Sequence, residues 1–343
     1  MILQHDNSVK PFFLSLAPLR GFTNALYRNL YAVHFQGIDT AIAPFINTLS
    51  AKQINRSHIK DILPENNHGM SVVPQIIGND SEGFIQLATM CHDLGFDTVN
   101  WNLGCPAPMV ANKRRGSGLL PHPESIEAFL DDVLPRIPTR LSIKTRIGRK
   151  KKEEIFKLLP IFNQYPLVEL IIHPRTGVQM YTGEVDLSTF EECLPLLKIP
   201  VTYNGDIHDY DSFVKLRERF KTVSRWLIGR GVLSNPFLPE ILRSGEENIP
   251  RSVERFKNFH DDLFEAYRAE LSGQSHLIDK MKSYWLYFFR SFENGEILFK
   301  KIKKISTLKK YEDITGNFLG GDAIWRCSGR PALSIHPSNS ACL

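Results

Sequence analysis

Short apolar or β-branched runs recur along the first two thirds of the chain, each followed by a polar segment whose spacing suits a helix. They cover residues 12–17, 40–46, 71–78, 97–102, 140–145, 168–173, 200–204 and 224–229. Near-continuous apolar strands of this length, alternating with helices, imply a parallel sheet covered on both faces. Eight such repeats in about 240 residues predict a closed (β/α)8 TIM barrel. An open doubly wound sheet is the alternative, and it expects a Gly-x-Gly-x-x-Gly turn after its first strand. The chain has Ala17-Pro18-Leu19-Arg20-Gly21-Phe22-Thr23 there instead.

Beyond Pro239 the period changes. Val253, Phe256, Phe259, Leu263, Phe264, Tyr267 and Leu271 recur at three and four residue spacing. So do Leu277, Met281, Tyr284, Trp285, Phe288 and Phe292, which predicts amphipathic helices with no strands between them. The expected division is a barrel domain over residues 1–243, a smaller all-α helical domain over 244–319 and a loosely ordered, aperiodic tail over 320–343.

Composition narrows the class. A chain of 343 residues with 42% hydrophobic content buries a large core. Its net charge of +5, from 42 Lys and Arg against 37 Asp and Glu, suits a polyanionic partner without requiring one. The five cysteines (Cys91, Cys105, Cys193, Cys327, Cys342) are dispersed, without CxxC or Cys/His ligand spacing, so neither a disulfide framework nor a metal site is expected. No run approaches the roughly 18 apolar residues of a membrane span. The chain reads as soluble and cytoplasmic, with no obligate protein partner.

Catalytic groups of a barrel stand at the carboxyl ends of its strands. Those positions here are Pro18, Gln75, Asn102, Cys105, Lys144, His173, Arg175, Asn204, Gly205, Asp206, Gly229, Arg230 and Gly231. Such a mixture of amide, thiol, amine, imidazole, guanidinium and carboxylate groups suits a ligand with many hydrogen-bonding edges. Asn204-Gly205-Asp206 and Gly229-Arg230-Gly231 follow strands seven and eight, where barrels bind phosphate and glycines let backbone N–H groups approach its oxygens. Lys144 and Gln75 are then expected to face the planar head group of a phosphorylated cofactor, as at a flavin site.

The ordered segments Leu16-Ala17-Pro18-Leu19, Pro74-Gln75-Ile76, Asn102-Leu103-Gly104-Cys105-Pro106, Gly116-Ser117-Gly118-Leu119-Leu120, Ile143-Lys144-Thr145-Arg146, His173-Pro174-Arg175, Asn204-Gly205-Asp206-Ile207 and Ile228-Gly229-Arg230-Gly231 carry a family resemblance. From about Phe12 to Phe237 the chain resembles bacterial tRNA-dihydrouridine synthases, which also carry a carboxyl-terminal helical domain. The resemblance implies an FMN-dependent oxidoreductase, reduced by NADPH, that reduces the C5–C6 double bond of selected uridines in tRNA. Carried over by position, Pro18, Leu19, Arg20, Gln75, Lys144, His173, Asn204, Gly205, Asp206, Gly229 and Arg230 are implied to contact FMN. Asn102 and Arg175 are implied to line the substrate pocket, and Cys105 to protonate C5 while hydride from flavin N5 reaches C6. A thiol with the ordinary pKa of about 8.5 is mostly protonated at neutral pH, as a proton donor must be.

A tRNA substrate also calls for basic surface around the pocket. Candidates are Lys113-Arg114-Arg115, Arg149-Lys150-Lys151-Lys152 and the lysine-rich stretch over residues 300–310. Two other readings stay open: an FMN barrel reducing a small pyrimidine or enone, and an RNA-binding barrel that has lost its cofactor. The intact Cys105, Lys144 and Asn-Gly-Asp set weighs against the second.

Overall fold

The computed structural model describes residues 11–48 and 56–326; residues 1–10, 49–55 and 327–343, with Cys327 and Cys342, lie outside them. Ten strand segments form one sheet: β1 Phe13–Leu16, β2 Thr40–Ile42, β3 Ile46–Asn47, β4 Ser71–Val73, β5 Gln75–Ile77, β6 Thr98–Leu103, β7 Arg140–Gly148, β8 Glu169–Thr176, β9 Val201–Tyr203 and β10 Arg225–Ile228. Every pairing is parallel. β2 and β3 are halves of one expected strand and β4 and β5 of another. Pro44 and Pro74 stand in the gaps, and each lacks the N–H a ladder needs.

Counting each broken strand once recovers the eight of the sequence pattern. β10 pairs with β1, β1 with β2 and β2 with β4; β4 continues through Pro74 into β5, which pairs with β6. The circuit therefore closes as a TIM barrel. β7 and β8 run to Gly148 and Thr176, beyond their expected ends at residues 145 and 173. His173-Pro174 reads as a stop, but pairing resumes past it through a register shift between Arg146 and Gly148. Those extra residues carry two arginines of the site.

Strand alternation sorts side chains between barrel interior and helical shell. On the shell side Trp101 stacks on Phe129 with ring centroids 4.1 Å apart. Inside, Glu169 accepts hydrogen bonds from Arg225 Nε (2.7 Å) and Thr202 Oγ1 (2.5 Å) at the amino-terminal end. Ala17, Ile42, Val73, Ile171 and Leu227 form an apolar layer above them. A buried polar chain crosses the interior beneath the site: Gln75 donates to Asn100 Oδ1 (2.7 Å), and Asn100 donates to Ser142 Oγ (2.8 Å).

After the barrel come helices at Ser252–Glu270, Gln274–Phe288, Gly295–Ile302 and Leu308–Asn317. The aromatic positions of the period-3.6 pattern are buried, from Phe256 to Phe292. They pack on the first barrel helix, Ala25–His34, where Tyr27 lies 5.8 Å from Phe259 and 5.7 Å from Tyr284 between ring centroids. Residues 300–310 are divided between two helices, with Leu298, Ile302 and Ile305 buried and the lysines exposed. Trp325 pairs with Phe292 and packs 4.9 Å from Phe237, so the chain stays seated to the last described residues of the expected tail. Among the described residues no helix is long and apolar enough to cross a membrane.

The loops after β9 and β10 touch through a glycine. A Cβ at Gly231 would lie 2.2 Å from the carbonyl oxygen of Ile207. Gly231→Ala is therefore expected to lower unfolding stability by about 1–3 kcal/mol, the cost of overpacking, in urea titrations. An unchanged midpoint would show that the two loops separate freely.

Candidate active site

A cavity opens at the carboxyl ends of the strands. The first loop closes one side: Thr23 Oγ1 donates to Ala17 O (3.0 Å) and accepts from Leu19 N–H (2.8 Å), which folds Pro18, Leu19 and Arg20 over the rim. The helical domain holds the same loop. Tyr284 Oη donates to Phe22 O at 2.7 Å, Lys280 Nζ donates to Gly21 O, and Tyr287 reaches the cavity wall 5.2 Å from the Phe22 ring.

Cys105 sits opposite, at the end of β6. Asn102 Oδ1 accepts from the backbone N–H groups of Gly104 (3.0 Å) and Cys105 (2.8 Å), while Asn102 Nδ2 donates to Gln75 Oε1 (2.8 Å). Asn102 lines the cavity, yet these bonds commit its side chain to shaping the cysteine turn. Burial pushes the Cys105 thiol above its ordinary range, partly offset by the Ala107 N–H and the charges of Arg146, Arg20 and Lys144. The sequence suggested an ordinary thiol; the pocket makes it a weaker acid, and it is protonated at neutral pH.

Lys144 and Arg146 alternate along β7 and so point the same way, toward the cavity. Desolvation and the neighbouring Arg146 bring Lys144 down to about 7. Arg146 is itself lowered to about 10, chiefly by burial, and stays cationic. It donates to Gly104 O (3.0 Å) and Thr176 O (2.8 Å), tying the cysteine turn to β8. His173 is held well below its ordinary value by burial and then by Arg146, Lys144, Arg175 and Arg230. It is neutral, and because Arg175 Nη1 can only donate across their 3.2 Å contact, His173 carries its proton on Nδ1.

On the far side Asp206 faces Arg230 at 3.0 Å and also pairs with Arg175. Burial opposes its ionisation, but the His208 and Arg175 hydrogen bonds and the arginine charges hold its carboxyl well below the usual range. Asp206 takes φ of 34°, a left-handed conformation that turns the loop back under Arg230. Arg230 lies 4.9 Å from the ring centroid of Tyr181, and Arg146 lies 5.4 Å from the same ring.

Twelve expected site residues line this cavity: Pro18, Leu19, Arg20, Asn102, Cys105, Lys144, His173, Asn204, Gly205, Asp206, Gly229 and Arg230. Gln75 does not. It is fully buried beneath the cavity and orients Asn102, because its strand continues two residues past it, to Ile77. Arg175 is buried behind the wall, donating to Asp206 and to Gly183 O (2.7 Å). Lys113 and Arg114 are exposed outside the cavity, and Arg115 donates to Asn79 Oδ1 at 3.1 Å. Close packing also constrains two of the glycines: a Cβ at Gly231 would meet Ile207 O at 2.2 Å, and one at Gly205 would lie 3.0 Å from Val185 Cγ1.

Arg146, Tyr181 and Tyr287 are cavity residues that the strand-end reading passed over. Arg146 was legible, two residues after Lys144 on one strand face. Tyr181 lies in a loop and Tyr287 on a helix distant in sequence, where no pattern points to the barrel.

In the protein without a bound anion, the proton on Lys144 costs stability in full below pH about 7. That cost disappears by the ordinary lysine value of about 10.4, because in between the unfolded chain binds more protons. Over that window the melting temperature of the ligand-free protein should rise relative to that of Lys144→Met. Parallel pH curves for the two proteins would contradict the depressed value.

A family model described as Dihydrouridine synthase (Dus) matches residues 15–317. Curated relatives include the tRNA-dihydrouridine(16) synthase of Pseudomonas putida, 24% identical over 302 residues, 85% of this chain and 92% of that protein. Another is a probable tRNA-dihydrouridine synthase 2 of Bacillus subtilis, 29% identical over 275 residues, 76% of this chain and 80% of that one. Among solved structures, the old yellow enzyme homologue from Zymomonas mobilis shares the fold with a TM-score of 0.51 at 13% identity, covering 71% of this chain and 91% of its own. Barrel and helical domain fall together within the family match, and the chain belongs to the dihydrouridine synthase family.

Proposed function

We propose that the protein is a tRNA-dihydrouridine synthase that holds FMN in the barrel cavity, takes reducing equivalents from NADPH and reduces uridine in tRNA. The observation that carries this reading is a protonated thiol, Cys105, in the same cavity as a paired lysine and arginine floor.

The donor set fits a flavin mononucleotide. Arg175 and Arg230 share one carboxylate, Asp206, so their corner keeps a net positive charge suited to a phosphate. Ala17, Leu19, Leu227 and Ile228 supply apolar wall, and Lys144 and Arg146 supply cationic floor for an electron-rich ring. An anion there would also restore the charge that burial takes from Lys144. When bound, the flavin supplies hydride for C6 of the uracil.

Cys105 supplies the proton at C5. Burial keeps its thiol protonated until substrate arrives. The thiolate left behind is favoured by Arg146, Arg20 and Lys144, the same cations that pull against burial in the resting site. Neutral His173 offers Nδ1–H as a hydrogen-bond donor, and Asn102 keeps the cysteine turn in place. A uridine inside folded tRNA must be turned out to enter the cavity. Lys113 and Arg114, exposed beyond the cysteine turn, with the exposed lysines between residues 300 and 310, provide cationic surface for the flanking phosphates.

Cys105→Ala tests the reading. Purified variant protein should bind FMN with unchanged affinity, followed by flavin fluorescence, while dihydrouridine formation in transcribed tRNA falls by about 10²-fold or more. Wild-type turnover in the variant would remove the proton donor from the mechanism.

A further inference from the structure

The Gly116-Ser117-Gly118 segment has no part in the chemistry described so far, yet it is packed directly behind the catalytic turn. Its residues 116–119 form a turn of 3-10 helix whose glycines and serine are all buried. Ser117 is wholly buried, and both its N–H and its Oγ donate to the carbonyl oxygen of Cys105, each at 3.0 Å. Gly116 takes φ of 53°, and a Cβ there would lie 2.8 Å from Cys105 O and 2.9 Å from Cys105 Cβ. Arg149, just past β7, closes the arrangement: its Nη1 donates to Pro106 O and to Ser117 Oγ, both at 3.3 Å. The carbonyls of Cys105 and Pro106 are thus held from one side, while Asn102 holds the Gly104 and Cys105 N–H groups from the other. Little backbone freedom remains at the thiol.

We infer that Ser117, braced by Arg149, is a positioning residue that fixes where the Cys105 thiol delivers its proton. The inference rests on the reading of Cys105 as donor. A proton donor loses rate steeply when displaced, because transfer needs hydrogen-bond distance to the accepting carbon. Two donors on one carbonyl hold the Cys105 peptide plane, and the plane sets the direction of its Cα–Cβ bond. Arg149 also stands at the start of the basic run Arg149-Lys150-Lys151-Lys152, whose backbone turn is gathered by Glu154: Oε2 accepts from Arg149 N–H (2.6 Å) and Oε1 from Lys151 N–H (3.1 Å). The clamp is therefore built into one of the basic segments that the sequence offered as a contact for substrate phosphates.

Ser117→Ala removes the side-chain bond and leaves the backbone bond. In the full-length flavin-loaded enzyme it should lower kcat by about 10-fold, while KM for tRNA and FMN affinity stay within about twofold. In the flavin-free protein, alkylation of Cys105 by iodoacetamide, followed by peptide mass mapping, should quicken several-fold as the turn loosens. Arg149→Met acts on the half-exposed brace without emptying a buried site, and should shift both readouts the same way by about 3-fold; it serves if Ser117→Ala does not fold. Unchanged kcat and an unchanged alkylation rate in the folded variants overturn the clamp. If Cys105→Ala keeps full turnover, the donor reading fails by itself, and the alkylation rates still decide whether Ser117 holds the turn.

Discussion

Cationic side chains crowd one cavity and the wall behind it, and a single described lining residue, Asp206, is a carboxylate. Lys144, Arg146, Arg175 and Arg230 are held there by a rigid barrel and cannot spread apart to relieve repulsion. The consequences run through the whole site. Lys144 gives up part of its charge, His173 gives up all of it, and Asp206 stays ionised against its burial. An anionic ligand is the natural complement, because it lets each cation keep its proton without adding solvent.

The same field suits a cysteine to the proton-donor role proposed for Cys105. Left to burial alone, the thiol would be too weak an acid to give up its proton; left to the cations alone, it would be a thiolate before substrate arrived. Their opposition keeps the proton on sulfur in the resting state and stabilises the sulfur that loses it. Geometry does the rest. The turn that carries Cys105 is bonded by Asn102, Arg146 and Ser117, so the thiol is presented by backbone whose hydrogen bonds are accounted for. The first loop, on the other side of the cavity, is held by Lys280 and Tyr284 of the helical domain, so the cavity is shared between barrel and helices.

Much of this was legible in the chain. Eight apolar runs gave eight strands because a parallel barrel buries both faces of each, although the expected runs pass straight through Pro44 and Pro74, where two of the strands break. Cys105 and Lys144 were found by position alone, at strand ends. The misplacements have a common origin. Strand alternation tells which face a side chain takes but not its depth, and a residue two positions below the strand's end, such as Gln75, lies under the cavity. Gln75 and Arg175 were assigned to the cavity and lie beneath or behind it, whereas Arg146 was left out although it shares a face with Lys144. Tyr287 was beyond reach, since helical periodicity reports which face is buried and not what it is buried against.

A tRNA substrate is the claim on which the rest turns, and it is open to direct measurement. Nuclease digestion and mass spectrometry of tRNA from cells with and without this gene would locate each dihydrouridine. Loss of dihydrouridine at a defined position in the cells lacking the gene, and its return when the gene is restored, is the expected result. An identical dihydrouridine pattern in both cell lines would contradict the assignment and turn attention to a smaller unsaturated substrate.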